Sequence, residues 1–220
     1  MPLGSYSFHT GATSFFAIST EHARSLLPPH LQPVEVRHGR GVLSVSAFLF
    51  DDSVVGPYAE LMFSVIVPPR AAPWGRHPKA GFFPFLAATS SEEARRIKGE
   101  RLHFPFWNES IDAQFIEGDD YLRVRAFVDG AEVVDLRVTQ GDWELATHIL
   151  QGYMMRGNER LRATLHITGD YTVHEDEGGS MLVHPHSMTE KLTRGEIAER
   201  PFREHWIKNG IEVFHEVEAI

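Results

Sequence analysis

The sequence has no cysteine and no long apolar segment, and each absence removes a class of structure or function. Its 220 residues include no Cys, so disulfides, thiolate zinc sites and a cysteine nucleophile are excluded. This composition fits a reducing compartment, and we expect a cytoplasmic protein. No apolar run approaches the ~20 residues that a membrane helix needs, and residues 1–5 lack the features of a signal peptide. We therefore expect no membrane partner.

Basic residues are scarce relative to acidic ones. The chain has 21 Lys and Arg against 30 Asp and Glu, which gives a formal net charge of −9. Because nucleic-acid binding needs a basic face, this balance argues against nucleic acid as a partner. The sequence also lacks a phosphate loop, a dinucleotide fingerprint and a Gly-x-Ser-x-Gly elbow. We predict no cofactor.

What dominates the sequence is alternation of apolar and polar residues with period two, which predicts half-buried antiparallel strands. The alternation is clearest in three segments, 43–49, 122–128 and 161–167. Turn signals stand between such runs: Gly118-Asp119-Asp120, Asp129-Gly130 and Gly169-Asp170.

Two helices are predicted among these strands. The first runs from about Thr20 to Leu27 and is stopped by the following prolines. The second begins at a capping-box pattern around Ser91 and ends at Gly99, and a short third helix is possible at 200–207. Many strands with few helices predict one α+β domain over residues 1–220, mainly antiparallel, in which a cone- or barrel-like sheet with a few outer helices encloses a pocket.

The order of these segments resembles the acetoacetate decarboxylase-like family over most of the chain. The most recognisable piece is the Gly-x-Tyr-x-Glu turn at 56–60. The capped helix at 91–98 then leads into His103-Phe104-Pro105, and the late segments 171–175 and 182–186 are also similar. The resemblance implies an antiparallel barrel-like fold, an enclosed pocket and a homo-oligomer.

The family reaction depends on a buried lysine that forms a Schiff base with the substrate ketone, so that carbon dioxide can leave. The resemblance places that lysine just after Phe104-Pro105, where this chain has Phe106 and Trp107. Neither side chain can form an imine. Of the family's polar residues, the glutamate of the Gly-x-Tyr-x-Glu turn is retained as Glu60. The resemblance therefore supports the fold and the pocket but speaks against the family reaction.

The four lysines of the chain stand at positions 79, 98, 191 and 208. Lys79 ends the segment 74–79, which looks locally like the family's lysine motif but precedes the strand at 82–88. We interpret it as an exposed loop residue, with a relocated Schiff-base lysine as the alternative. Lys98 is interpreted as a charge near the helix end that complements the helix macrodipole.

Glu60 is the candidate catalytic residue, because a carboxylate buried in an apolar pocket acquires a raised pKa and suits proton transfer. The alternative is a carboxylate hydrogen-bonded to loop amides. Aromatic residues are predicted to form the substrate-binding wall, with core packing as the alternative for most of them: Tyr58, Phe83, Phe104, Phe106 and Trp107. Phe106 and Trp107 either fill the pocket or make it more apolar.

The histidines raise the question of a metal site. His184 and His186 stand two residues apart and could join His166, His174 or Glu175 on a nearby strand. However, a chain with 13 His produces such pairs without function, and the intervening proline weakens the strand. We predict no metal centre, with a pH-dependent surface or subunit contact as the simpler role.

These observations predict an enzyme-like pocket protein that resembles acetoacetate decarboxylase but lacks its imine chemistry. It would act on a small oxo-acid, polyketide-like or aromatic carbonyl compound by acid–base catalysis, as a lyase, cyclase or isomerase. The alternative is a non-catalytic protein on the same fold that binds a small carbonyl or carboxylate ligand. An imine enzyme that uses Lys79 and an oligomer with a filled pocket are further alternatives.

Overall fold

The computed structural model describes residues 2–70, 78–192 and 195–220, which form two helices and thirteen strands. The helices are α1 (Thr20–Ser25) and α2 (Glu92–Leu102), and a 3-10 turn covers Ser187–Thr189. The strands are β1 (Pro2–Ser19), β2 (Glu35–Arg37), β3 (Arg40–Asp52), β4 (Tyr58–Val67), β5 (Ala80–Thr89), β6 (Asp112–Glu117), β7 (Tyr121–Val128), β8 (Ala131–Thr139), β9 (Glu144–Arg156), β10 (Glu159–His174), β11 (Ser180–Val183), β12 (Arg203–His215) and β13 (Glu218–Ala219).

Seven of the strands close into a barrel. They follow one another in the order β1-β12-β10-β9-β5-β4-β3, and β3 pairs back onto β1 to complete the ring. All neighbours within the ring are antiparallel except β5 and β9, which are parallel. The predicted α+β, mainly antiparallel, barrel-like fold is therefore confirmed.

A second sheet covers part of the barrel's outer surface. Its four strands lie in the order β11-β8-β7-β6. The alternation predicted at 122–128 is confirmed, because Leu122, Val124 and Ala126 on β7 are buried in a core shared with the barrel residues Val45 and Phe63. Because this core lies on the outer face of the barrel strands, their inner face is left to line the barrel interior.

Strand β3 departs from the half-buried pattern that its alternation predicts. Leu43, Val45 and Ala47 pack outward into the core shared with the second sheet. The opposite face does not meet solvent, because Ser46 and Phe48 line the barrel interior. Alternation in this segment therefore separates an outer core from an inner cavity wall, and both faces of the strand are covered.

Both helices start at serine caps but end differently from the prediction. The Ser19 side chain accepts a hydrogen bond from the His22 N–H, and α1 ends before the prolines, at Ser25. In α2 the Ser91 hydroxyl accepts from the Ala94 N–H, as predicted. The predicted end at Gly99 is wrong, because the helix continues to Leu102, whose burial outweighs the ~1 kcal/mol cost of one glycine. Within the described ranges, no helix is long and apolar enough to cross a membrane.

The turn predictions are confirmed at two places and wrong at a third. Residues 118–120 connect β6 to β7, and Asp129-Gly130 connects β7 to β8 with both φ angles positive, at 48° and 79°. Gly169 instead lies inside β10, at a break in its register with β12. A Cβ there would lie 2.9 Å from the Lys208 carbonyl oxygen, so glycine serves the close approach of two strands rather than a turn. The third helix expected at 200–207 is also wrong, because β12 begins at Arg203.

Candidate functional site

The barrel encloses an elongated cavity of about 420 Å³. Its wall is mainly apolar, and its acidic and basic side chains fall into separate groups, with Glu60 and Glu212 in one and Arg203, His205 and His148 in the other. Strand β4 shows the direction of its long axis, because Glu60, Met62, Ser64 and Ile66 follow one another along the wall. The apolar lining includes Phe15, Val34, Val36, Val42, Phe48, Met62, Ile66, Phe82, Pro84, Phe104, Leu150, Met154, Ala163, Leu165, Ile167, Phe202, Ile207 and Phe214.

At one end of the cavity, here called the buried end, Glu60 and Glu212 line the wall and Lys98 lies behind them. The exposed fractions of these residues are 4%, 5% and 1% respectively. Lys98 Nζ donates to both carboxylate oxygens of Glu60, at 3.0 and 2.9 Å. The same nitrogen lies 3.7 Å from Glu212 Oε2, beyond hydrogen-bonding distance. One buried cation thus faces two buried carboxylates that it holds unequally.

Aromatic rings enclose the ammonium group of Lys98 on its other sides. Its Nζ lies 4.6 Å from the ring centre of Phe50 and 4.7 Å from that of Tyr6. The rings of Tyr58 and Phe214 follow at 5.4 Å. Ring faces stabilise a desolvated cation, so Lys98 is held by carboxylates and aromatic surfaces together.

Lys98 reaches this position because it takes a core position of α2. Ala94, Lys98 and Leu102 are the buried residues of the helix, and their spacing of four places them on one face. The interpretation of Lys98 as a charge on the helix macrodipole is therefore wrong. The signal that could have revealed it is a lysine standing midway between two apolar residues at helical spacing.

The electrostatics of the buried end favour a charged Lys98 and a Glu212 that titrates near neutrality. Burial alone would lower the pKa of Lys98, but the two carboxylates hold it above its ordinary value. Burial raises the pKa of Glu212 to about 7, because desolvation and the neighbouring Glu60 outweigh the attraction of Lys98. Glu212 Oε2 has no hydrogen-bond partner among the residues that the structure describes. This carboxylate is therefore placed to exchange a proton with a molecule in the cavity.

Glu212 faces the cavity because β12 changes its side-chain alternation part of the way along. Arg203, His205 and Ile207 line the cavity at odd positions, whereas Glu212 lines it at an even one. Between them Asn209 adopts a left-handed conformation with φ 49°, and the register with β10 is broken at that level. Such a bulge inserts one residue and reverses the faces beyond it. Period-two reasoning alone could not have found Glu212.

The other end, here called the open end, is basic. Its members are Lys79 and Arg203, which are exposed, the partly buried His148 and the buried His205. Arg203 Nε donates to His205 Nε2 at 3.1 Å. Burial lowers the pKa of His205 to about 3, with Arg203, His148 and Lys79 acting in the same direction. Burial, Lys79 and Arg203 likewise lower the pKa of His148 to about 4.

The structure brings some of the predicted site residues to the cavity and not others. Glu60 and Phe104 line it. Tyr58 stacks on Phe50 at 4.6 Å, behind the wall and beside Lys98. Phe83 points away from the cavity and packs against the outer core.

Phe106 and Trp107 lie apart from the barrel interior. They border a separate, smaller depression of about 240 Å³ with Met188 and Lys191. They neither fill the large cavity nor contribute to its wall, because the chain leaves the barrel after Phe104 and pairs Phe106 with Ala87. That Phe106 and Trp107 contact a ligand remains a prediction, and it can apply only to this smaller depression.

The histidine pair and the lysine motif have simple outcomes in the structure. His184 and His186 follow the end of β11, and the His186 ring accepts the Met188 N–H at 3.1 Å. In residues 2–70, 78–192 and 195–220 no group of three or more His, Asp or Glu is arranged to hold a metal ion. The segment 71–77, which contains most of the lysine motif, lies outside the described residues. Lys79 itself lines the open end.

Comparisons with known proteins identify the fold. No family model and no curated protein matches this sequence significantly. Among solved structures, an acetoacetate decarboxylase is similar with a TM-score of 0.70 and 14% identity, over 99% of this chain and 88% of that one. The acetoacetate decarboxylase of Legionella pneumophila gives a TM-score of 0.68 and 16% identity, over 99% and 87% of the two chains.

A structure of the enduracididine biosynthesis enzyme MppR complexed with pyruvate is also similar. Its TM-score is 0.65 at 11% identity, and the match covers all of this chain (100%) and 91% of the enzyme. The chain therefore has the fold of acetoacetate decarboxylase and related enzymes. At these identities the likeness establishes the fold and leaves the chemistry to be argued from the site.

Proposed function

We propose that the protein is an enzyme that performs acid–base chemistry, without an imine intermediate, on a small carbonyl compound held in the barrel cavity. The observation that carries the proposal is Glu212, a buried carboxylate on the cavity wall whose Oε2 has no hydrogen-bond partner among the described residues. Burial also raises its pKa to about 7. A group with this pKa is partly protonated at neutral pH, so it can both accept and donate a proton. The solved structures with the same fold are of enzymes, which supports a catalytic role without specifying the reaction.

Lys98 does not suit the role of a Schiff-base nucleophile. An amine attacks a carbonyl only when it is neutral, and the two carboxylates keep Lys98 protonated. Lys98 also stands behind the wall, whereas Glu60 and Glu212 line the cavity in front of it. A substrate in the cavity meets the carboxylates before it reaches the amine.

The proposed proton transfer uses Glu212 as the catalytic residue and Glu60 as a positioning residue. The Glu212 carboxylate removes a proton from a carbon next to the substrate carbonyl, and the electron pair of the broken C–H bond moves towards the carbonyl oxygen. Returning the proton at another carbon completes an isomerisation. In a cyclisation, the enolate carbon instead attacks a second carbonyl carbon of the same molecule, and the proton passes to the oxygen whose C=O π bond is broken. Lys98, fixed by Glu60, remains a permanent positive charge beside Glu212 and stabilises its ionised form.

This assignment differs from the sequence prediction in which Glu60 carries the proton. Both oxygens of Glu60 accept from Lys98, so protonating this carboxylate would break the stronger half of the buried ion cluster. Glu212 has one oxygen at the longer distance of 3.7 Å and no hydrogen bond to give up there. The geometry therefore favours Glu212 for proton transfer.

Hydrogen–deuterium exchange at carbon tests the proposal directly. The protein is incubated in D₂O at pH 7 with a panel of oxo-acids and aromatic ketones, and deuterium next to the carbonyl is followed by NMR. We expect exchange in the unmodified protein and a loss of about 100-fold or more in Glu212→Gln. Glu204→Gln is the matched control, because Glu204 is buried on the same strand but accepts from Thr139 and Gly179 outside the cavity.

Three results would count against the proposal. Exchange that persists in Glu212→Gln would remove Glu212 from the mechanism. Saturable ligand binding without exchange or product would favour a non-catalytic binding protein. A borohydride-trapped adduct on Lys98 or Lys79 would restore imine chemistry and overturn the assignment of the lysines.

A further inference from the structure

The proposed proton transfer leaves the basic open end of the cavity unused. Lys79 and Arg203 are cations there, and among the described residues no acidic side chain forms an ion pair with Lys79. Arg203 contacts the exposed Glu175 at 3.3 Å. The protein thus places two positive charges at the rim of an apolar cavity, where they attract an anion that enters it.

The open end is preorganised rather than a chance collection of basic residues. The hydrogen bond from Arg203 Nε to His205 Nε2 requires a neutral histidine as acceptor and holds the guanidinium at the cavity wall. The His148 ring packs on Tyr171 at 4.2 Å and lies 5.7 Å from the His205 ring. A carboxylate is the natural occupant, because a held guanidinium presents N–H donors to its two oxygens.

The two ends of the cavity are far apart compared with a short oxo-acid. Along β12, the chain from His205 to Glu212 measures roughly 20 Å at ~3.3 Å per residue, and side chains reaching inward shorten this span only in part. Apolar side chains such as Met62, Leu165 and Ile207 line the wall between the ends. The carboxylate and carbonyl carbons of a 2- or 3-oxo acid lie only roughly 3 Å apart or less. Such a molecule cannot occupy both ends at once.

We propose that the open end binds the carboxylate of an elongated, mainly apolar acid, whose chain runs through the cavity towards Glu212. Lys79 and Arg203 are the binding residues for the carboxylate, and the apolar wall takes the chain. The inference deepens the proposed function by naming a substrate class. It rests on that function only for the identity of the group that meets Glu212.

Binding of simple carboxylates tests this inference without requiring turnover. Calorimetry at pH 7 compares octanoate with octanol, which lacks the charge, and with acetate, which lacks the chain. We expect octanoate to bind at least tenfold tighter than either. Lys79→Met and Arg203→Gln should each weaken octanoate roughly tenfold and leave octanol unchanged, as expected for the loss of one charged contact.

Arg96→Gln is the matched control, because Arg96 is a cation on the exposed face of α2, where it contacts Glu93 and Glu100. Three outcomes would each overturn the proposal. They are equal affinity for octanoate and octanol, no binding of octanoate, and octanoate binding that neither variant weakens. Lys79 is exposed, so we expect Lys79→Met to fold. This variant therefore tests the proposal even if Arg203→Gln does not fold.

Glu212→Gln separates the two proposals. If proton transfer at Glu212 is wrong but the open end binds carboxylates, the preference for octanoate over octanol persists in every Glu212 variant. If the open end is wrong, deuterium exchange still depends on Glu212 while Lys79 and Arg203 have no influence on affinity.

Discussion

The two ends of the cavity solve the problem of a charged group in an apolar barrel in opposite ways. At the buried end, Lys98 is fully desolvated and remains charged because Glu60 and Glu212 face it. At the open end, cations keep contact with water, and their neighbours, the partly buried His148 and the buried His205, become neutral instead. Paired burial therefore preserves charge, whereas burial beside like charge removes it. The first arrangement suits proton transfer and the second suits binding of an anion.

The largest effect on stability is expected when Lys98, the cation of the buried end, is replaced. Lys98→Met leaves two carboxylates buried without their cation, and we expect a loss of about 3–5 kcal/mol in the free energy of unfolding. Lys79→Met, at the exposed lysine of the other end, should change stability by less than about 0.5 kcal/mol. Chemical denaturation of the two variants, at the same pH, measures the difference.

A double variant shows whether the loss arises from unpaired charge or from lost packing. Adding Glu60→Gln to Lys98→Met removes one of the stranded carboxylates and should recover a measurable part of the stability. If the double variant is as unstable as the sum of the single ones, the ion cluster is not the cause. Equal stability of Lys98→Met and Lys79→Met would contradict the comparison altogether.

The second prediction concerns pH, to which the two ends respond with opposite sign. Glu212 has a folded pKa near 7, above the ordinary carboxyl value of 4.5. The unfolded chain releases this proton first, so its contribution to stability is present below pH 4.5 and is lost as the pH rises to about 7. His148 and His205 have folded pKa values near 4 and 3, below 6.5. Their contribution is present above pH 6.5 and is lost as the pH falls.

Measuring unfolding free energies from pH 4 to pH 8 in single variants separates these contributions. Glu212→Gln should remove the loss between about pH 4.5 and 7. His205→Gln should reduce the loss below about pH 6.5 and leave the upper range unchanged. Parallel curves for the unmodified protein and both variants would show that neither group titrates as the structure implies.

The smallest expected effect lies outside the cavity. Trp107→Ala alters the smaller depression, which is separated from the barrel interior. We expect the affinity for octanoate to change less than twofold, because no wall residue of the cavity is altered. Phe82→Ala, on the cavity wall beside Ile66, is the informative partner and should weaken octanoate several-fold through lost apolar contact. A reversal of the two effects would relocate the binding site.

The strands and helices of the barrel could be predicted from the sequence because each depends on a pattern among neighbouring residues. Alternation in β7 and β10 and the serine cap of α2 each follow from neighbouring residues, and the structure retains them. The site was predicted only in part. Glu60 and Phe104 were found because they stand in segments that resemble a known family, and both line the cavity.

The remaining residues of the site depend on contacts between distant segments. Lys98 was misinterpreted because a charged residue near a helix end usually faces water, and its two acidic partners come from β4 and β12. Glu212 was missed because the bulge at Asn209 reverses the alternation. Arg203 and His205 were assigned to a helix, although they alternate into the cavity as strand residues. A pairing of buried charges cannot be inferred until the strands that carry them are known to be neighbours.

The bulge at Asn209-Gly210 also determines how this barrel tolerates insertions and deletions. Upstream of it, the cavity wall uses odd-numbered residues of β12, and downstream it uses even-numbered ones. Deleting the one extra residue at the bulge would restore unbroken alternation and keep Glu212 and Phe214 on the inner face. Deleting Ile211 while the bulge is retained would instead send both side chains outward and bring their neighbours inward. Among related sequences, a length change in this strand would therefore preserve the cavity wall only where the bulge is gained or lost with it.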